Sequence, residues 1–316
     1  MSLTFFYFSS MRGLVIKSTG SQYLVRFDDG MILLCRIRGN LRMKDFEATN
    51  PITVGDIVEV EWKKGDDVGQ ITDMLPRKNY IIRKSVKLSR QVQILAANID
   101  RAFVVATPLL PKTSLGFIDR FLATAEAYSI SGGIIWNKAD LYTDEIWEYV
   151  EQTKNLYESI GYKVFSVSAI NGFGFQALID EMNGKVNLFS GHSGVGKSSL
   201  INALIPGMKL KTAAISSQHL KGKHTTTFAE MHLLPEGGYI IDTPGIREFG
   251  MIDFDTYEVS HFFPEIFEAS KQCQYGNCIH LNEKNCAVKK AVESGLISAS
   301  RFDSYLSILT KQDVFK

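Results

Sequence analysis

The stretch Val186-Asn187-Leu188-Phe189-Ser190-Gly191-His192-Ser193-Gly194-Val195-Gly196-Lys197-Ser198 decides the fold. Its first five residues form a short β-type run. The next eight satisfy the pattern of glycine, four residues, glycine, lysine and serine that marks a phosphate-binding loop. The glycines let backbone N–H groups turn inward around phosphate oxygens at a helix N-terminus. The spacing therefore predicts a strand over 186–190 and a helix from Lys197. Gly191, Ser193, Gly194, Val195, Gly196, Lys197, Ser198 and Ser199 are the candidate phosphate-side residues. Lys197 suits the β- and γ-phosphates, and the Ser198 hydroxyl suits Mg²⁺.

Outward from this loop, strands alternate with helices. Strands are expected at 102–106, 133–136, 163–167 and 238–241, and helices near 117–128, 144–160 and 175–182. Such alternation implies βαβ units and a mostly parallel sheet, whose ligands bind beyond the carboxyl ends of the strands. After the strand ending at Ile241 comes Asp242-Thr243-Pro244-Gly245. There Asp242 can hold Mg²⁺ through water and Gly245 can offer its N–H to a γ-phosphate. After Trp136 comes Asn137-Lys138-Ala139-Asp140. A carboxylate at Asp140 can accept from both N1–H and the 2-amino group of guanine, a pair of donors that adenine lacks. Lys138 can lay its stem across the purine, and backbone N–H groups of Ser168-Ala169 can reach the guanine oxygen. A plain helix start at Ala139-Asp140 remains the alternative for that tetrapeptide.

Cys273, Cys278, His280 and Cys286 are spaced Cys-x4-Cys-x-His-x5-Cys. Three thiolates and an imidazole make a closed tetrahedral zinc site of the structural kind. With Cys35 as the remaining cysteine, the pattern favours metal binding in a reducing compartment, the cytoplasm, over a disulfide framework. Helical patterning at 287–292 and 302–309 supplies a small domain too poor in core to stand without the metal.

Toward the N-terminus the texture is different. Short β-type runs at 13–16, 23–27, 31–37, 56–62 and 69–72, separated by turn signals, have the rhythm of a five-stranded OB-type barrel. Residues 1–90 hold 15 Lys or Arg against 10 Asp or Glu, whereas residues 91–316 hold 20 against 24. Arg12, Lys17, Arg26, Arg36, Arg38, Arg42 and Lys44 on the barrel suit a nucleic-acid strand, or a solvated surface. Residues 77–90 carry Arg77, Lys78, Arg83, Lys84, Lys87 and Arg90 with no acidic residue, and they suggest a basic linker able to contact phosphates. Hydrophobic residues at 45% and charged residues at 22% are ordinary globular usage, and no apolar run is long enough to span a membrane. The expected domains are 1–76 (with 1–10 an extension), 77–252 and 253–316.

The motifs arrive in an unusual order. The base-reading loops at 137 and 168 precede the phosphate loop at 191, which is followed by Gly222-Lys223-His224-Thr225-Thr226-Thr227 and then by Asp242. In ordinary small GTPases the phosphate loop comes first. On these motifs and the cysteine cluster, the chain resembles the circularly permuted GTPases, most of all the ribosome small-subunit-dependent GTPase A family (RsgA or YjeQ). The resemblance covers the chain from the barrel to the C-terminus. It implies an α/β P-loop GTPase domain flanked by an OB barrel and a mostly helical zinc domain. It also implies GTP/GDP as ligands and a role in late maturation of the small ribosomal subunit through its rRNA. A monomer is expected. His192 is a departure, because the family usually carries Gln there.

Ile246 stands where many GTPases place a water-orienting Gln. His224 is the candidate for that role, with a solvent-facing loop histidine as the alternative. One of Thr225, Thr226 and Thr227 completes the Mg²⁺ shell, with Thr226 the choice made here. Two rivals are an ATP-using P-loop enzyme, disfavoured by Asp140, and an RNA-binding scaffold without turnover, disfavoured by intact Lys197, Ser198 and Asp242.

Overall fold

The computed structural model describes residues 9–39, 51–63, 65–84, 92–210, 229–242 and 255–310. They fall into two compact units that do not follow chain order. One gathers the described residues up to Asp100 with Met182–Leu188 and those within His219–Ile246, and the other holds the remainder.

In the first unit, β1 (Ser9–Ser18), β2 (Tyr23–Phe27), β3 (Ile32–Ile37), β4 (Ile57–Trp62) and β5 (Val68–Met74) are ordered β1-β2-β3-β5-β4. Strand β4 returns to β1, from Ser9 opposite Trp62 to Leu14 opposite Ile57, which closes the barrel. Only β3 and β5 run parallel. This is the OB-type topology, and its interior is built by alternation: Tyr23, Val25, Cys35, Val58, Val60 and Ile71 are wholly buried. The far end of β1 pairs with β12 (Glu230–Leu233), whose strand was not expected. β12 lies antiparallel to β13 (Tyr239–Asp242). β13 in turn runs parallel to β11 (Val186–Ser190), Leu188 opposite Ile241.

The expected linker at 77–90 is corrected in part. Tyr80–Lys84 forms β6, which pairs antiparallel with β7 (Val92–Ala97). Two of its cations are compensated. Arg77 is buried and grips wholly buried Asp56 through two hydrogen bonds of 2.7 and 2.6 Å, and Lys78 is ion-paired with Asp100. On the barrel, Arg12 pairs with Glu59 at 2.7 Å, Lys17 with Glu230 at 3.0 Å, and Arg38 with Glu61. The barrel is thus less bare of counter-charge than its sequence implied. Arg42, Lys44, Lys87 and Arg90 lie outside the described residues.

The second unit contains β8 (Arg101–Ala106), β9 (Ser131–Trp136) and β10 (Lys163–Ser166), all parallel in the order β8-β9-β10. Ala102–Ala106 is buried throughout, as a strand covered on both faces requires. Helix α1 (Leu115–Ala127) starts where the Ser114 side chain accepts the Phe117 N–H. α2 (Asp144–Ile160) stops at Gly161, left-handed at φ 112°. α3 (Phe175–Met182) and α4 (Lys197–Leu204) begin where the sequence placed them. Beyond residue 255 come α5 (Pro264–Ser270), which was not expected, α6 (Ala287–Glu293) and α7 (Ala299–Leu309). They share a core of Phe263, Ile266, Val288, Tyr305 and Ile308 with Ala123 of α1. Among the described residues no helix is long and apolar enough to cross a membrane.

Replacing Arg77 by Met should leave Asp56 with an uncompensated buried charge and lower stability by about 3–5 kcal/mol. A loss of unfolding free energy under about 1 kcal/mol would show instead that Asp56 is not left as an uncompensated buried charge.

Candidate nucleotide and metal sites

The phosphate loop leaves β11 at Gly191 and enters α4 at Lys197. Two of its glycines are required by their surroundings. At Gly191 (φ 140°) a Cβ would sit 2.2 Å from the Val105 carbonyl oxygen. At Gly196 (φ 91°) it would sit 2.5 Å from the Asn137 amide nitrogen. The loop is therefore a cradle of bare backbone that side chains would obstruct, as a polyphosphate site demands. Lys197 Nζ donates to the carbonyls of Gly191 (2.5 Å) and His192 (2.8 Å), spanning the loop from which it can reach phosphate oxygens.

The base-reading loop is joined to this cradle directly. Asn137 is buried, and its Nδ2 donates to the Val195 carbonyl at 2.9 Å. Lys138 follows in a left-handed conformation (φ 69°), and Ala139–Leu141 makes one 3-10 turn, so the alternative of a helix start is met only by that turn. Asp140 accepts the Ser168 hydroxyl, and the Ser168 Oγ in turn accepts the N–H groups of Ile170 and Asn171. Here the structure corrects one expectation: the Ser168 N–H donates to Phe173 O at 3.1 Å. The Ser168 hydroxyl thus orients the Asp140 carboxylate, and the N–H of Ala169 is left as the candidate for the base oxygen.

Several contributors carry no linear motif. The loop Thr107–Thr113 closes on itself through Thr107 Oγ1 and Pro111 O, and its Leu110 carbonyl accepts Lys138 Nζ at 2.5 Å. The Tyr142 hydroxyl donates to Asn137 O at 2.8 Å. Phe117 of α1 lies against His192 with ring centroids 3.8 Å apart, so the outward-facing position of the loop has a partner. Burial, and after it the charge of Lys197, hold His192 below the ordinary histidine value, so the ring is a neutral stacking surface at physiological pH. Asp242 ends β13 and its side chain is outside the description, as are Gly245, Ile246, His224, Thr225, Thr226 and Thr227.

Cys273, Cys278, His280 and Cys286 converge, with all four candidate ligand atoms within 4.8 Å of one another. The Cys286 sulfur lies 3.8 Å from those of Cys273 and Cys278, and His280 Nδ1 lies 3.3 Å from Cys286 and 3.7 Å from Cys273. A tetrahedral ion with metal–sulfur bonds of about 2.3 Å holds its sulfurs about 3.8 Å apart, so the residues fit such an ion. Burial, with the neighbouring sulfurs adding to it against a backbone hydrogen bond at His280, pushes the Cys278 thiol up to about 12, and a metal ion would supply the charge that favours thiolates there. Burial keeps His280 neutral and ligand-competent against the opposing pull of Glu283. The knuckle is braced by Glu283, which accepts the Ile279 N–H at 2.9 Å, and by Tyr305, whose hydroxyl donates to Ile279 O at 2.7 Å.

Comparison with known proteins agrees with this geometry. The family model for the RsgA GTPase matches residues 74–252, and that for the RsgA N-terminal domain matches residues 12–71. A Bacteroides fragilis protein named small ribosomal subunit biogenesis GTPase RsgA is 52% identical over 96% of this chain and 97% of its own. The protein of the same name from Flavobacterium psychrophilum is 48% identical over 96% of this chain and 94% of its own. Among solved structures, YjeQ from Thermotoga maritima aligns with a TM-score of 0.81 at 32% identity, covering 96% of this chain and 98% of that one. YloQ, described as a circularly permuted GTPase, aligns at 0.78 and 27% identity, covering 98% and 97%. The chain belongs to the RsgA family of circularly permuted GTPases.

Proposed function

We propose that this protein hydrolyses GTP to GDP and phosphate as a biogenesis factor of the small ribosomal subunit, docking there through rRNA. The observation that carries the nucleotide assignment is the Asn137 Nδ2 to Val195 O hydrogen bond of 2.9 Å, which joins a base-reading loop to a phosphate cradle in one site. In this reading Asp140, aimed by Ser168, accepts from the guanine edge. Lys138 lies along the purine, and Ala169 offers its N–H to the base oxygen. The amides of Gly191 to Ser199 surround the phosphates, with Lys197 on the β- and γ-oxygens. Ser198, Thr226 and Asp242 would hold Mg²⁺, which would supply charge neutralisation for the phosphates. His224 positions the attacking water when the partner is bound, and Gly245 donates to the γ-phosphate.

Ribosomal action rests on the names of the relatives and on the basic N-terminal third, tempered by the ion pairs found on the barrel. Of the three-part organisation 1–76, 77–252 and 253–316, the first two parts are supported by the family-model matches over 12–71 and 74–252. Cys273, Cys278, His280 and Cys286 hold one structural Zn²⁺, the ion that three thiolates and an imidazole at this spacing favour. We take the protein to act in the cytoplasm as a monomer.

Phosphate release from GTP and ATP should be measured with and without purified small subunits, at two salt concentrations. GTP-selective turnover that rises with subunits, and less at high salt, supports the reading. Turnover indifferent to subunits points to another activator, and its absence favours a scaffold. Replacing Asp140 by Ala should raise the GTP KM by about 30-fold or more, as loss of a charged hydrogen-bond acceptor costs about 2–3 kcal/mol. His224→Ala should abolish subunit-stimulated release while leaving GTP affinity intact, and full stimulated turnover in that variant removes the histidine from the mechanism. Metal analysis should find one zinc per chain. Its chelation should melt the helical signal and the hydrogen-exchange protection of residues 255–310, whereas protection unchanged after metal removal would count against a folding role.

A further inference from the structure

Helix α1 touches the phosphate loop with one residue and is anchored by another, two positions along, in a fully buried polar cluster. At the nucleotide end, Phe117 lies on the His192 ring at 3.8 Å, and the loop leading into the helix presents Leu110 O to Lys138. The same loop places Pro111 Cδ 3.4 Å from where a Gly194 Cβ would stand.

At the anchored end, Asp119 has no exposed surface and accepts three hydrogen bonds. They come from Arg301 Nη1 at 2.9 Å, Ser304 Oγ at 2.6 Å and Tyr157 OH at 2.7 Å. Arg301 is equally buried. It completes its guanidinium fork on Glu265 at 2.6 and 3.0 Å and lies 4.7 Å from the Phe263 ring centroid. Arg301 and Ser304 belong to α7, and Glu265 to α5, of the metal-bearing helical region.

We propose that Arg301 is a positioning residue for the nucleotide site: by fixing Asp119 it sets α1, and α1 through Phe117 holds the phosphate loop in its binding geometry. The inference rests on the nucleotide site assigned above. A bidentate, fully buried guanidinium permits one arrangement of its partners, because any shift strands a charge away from water. The helix transmits that constraint over less than one turn from Asp119 to Phe117. Freeing the anchor gives the phosphate loop more conformations to lose on binding. This weakens nucleotide affinity without altering the transition state relative to the bound state. KM should therefore rise while kcat holds. A contribution confined to folding stability would leave both unchanged in the folded enzyme.

The test is a double-mutant cycle on the full chain, with GDP affinity and GTP kinetics read at 25 °C. Arg301→Lys keeps the charge but loses the fork, and Phe117→Leu removes the ring. Each is expected to weaken GDP binding and raise the GTP KM about tenfold, with kcat within about twofold. Because both act through α1, the double variant should be about tenfold weaker, not a hundredfold. Phe117→Tyr, which retains the stack, should restore wild-type affinity. Independent, multiplied effects would overturn the proposal. So would wild-type affinity in an Arg301→Lys protein of unchanged metal content. If Arg301→Lys fails to fold, Ser304→Ala, which removes one neutral donor to Asp119, should give a shift of about threefold in the same direction, and no shift would overturn the proposal. A wild-type protein that binds no guanine nucleotide in the same assay overturns the site assignment itself, and this inference with it.

Discussion

The hydrogen bond from Asn137 to the Val195 carbonyl is the constraint on which the nucleotide site depends. It ties the candidate base-reading loop to the candidate phosphate loop, and it leaves room for nothing larger than glycine at position 196. In this chain the base loop precedes the phosphate loop, so the bond runs forward from residue 137 to 195. Permutation changes the order of the motifs along the chain, but a contact between loop ends depends only on which strands they leave. The bond, and with it the site, survives the rearrangement.

Around that contact the molecule places its buried charge sparingly. Arg77 with Asp56, and Arg301 with Asp119 and Glu265, are each bidentate pairs withdrawn from water. Such pairs add little net stability, since desolvation offsets most of the attraction, yet they tolerate no alternative geometry. One joins the barrel to the segment that follows it. The other joins α1 to α7 and α5 of the helical region. The cysteine–histidine cluster has the same character: its four candidate ligand atoms lie within 4.8 Å of one another and define a single small volume.

Much of the site was legible because its chemistry is written in consecutive residues. A phosphate loop needs glycines at fixed offsets, a guanine reader needs Asn137 and Asp140 on one turn, and a closed zinc knuckle needs ligands within a short span. The strand and helix periods were equally local, so α2, α3 and the start of α4 stand where alternation put them. What escaped notice lacks such a signature. β12 is four residues long, and β6 was hidden in a run of cations that looked solvated. Asp119 did leave a trace, a lone carboxylate on the apolar face of α1 beside Leu122 and Ala123. Arg301 shows the same on the face of Tyr305 and Ile308.

By itself, then, the sequence determined the class of fold, the permuted order of the motifs and the candidate nucleotide-binding and metal-ligating residues, because each depends on backbone conformation and residue chemistry over a few consecutive positions. Tertiary structure alone decided that Ser168 aims Asp140, that Leu110 steadies Lys138, that His192 rests on Phe117, and that Arg301 meets Asp119 across 182 residues of chain. Those pairings arise from where strands and helices come to lie once apolar faces are buried, and local spacing carries no record of them.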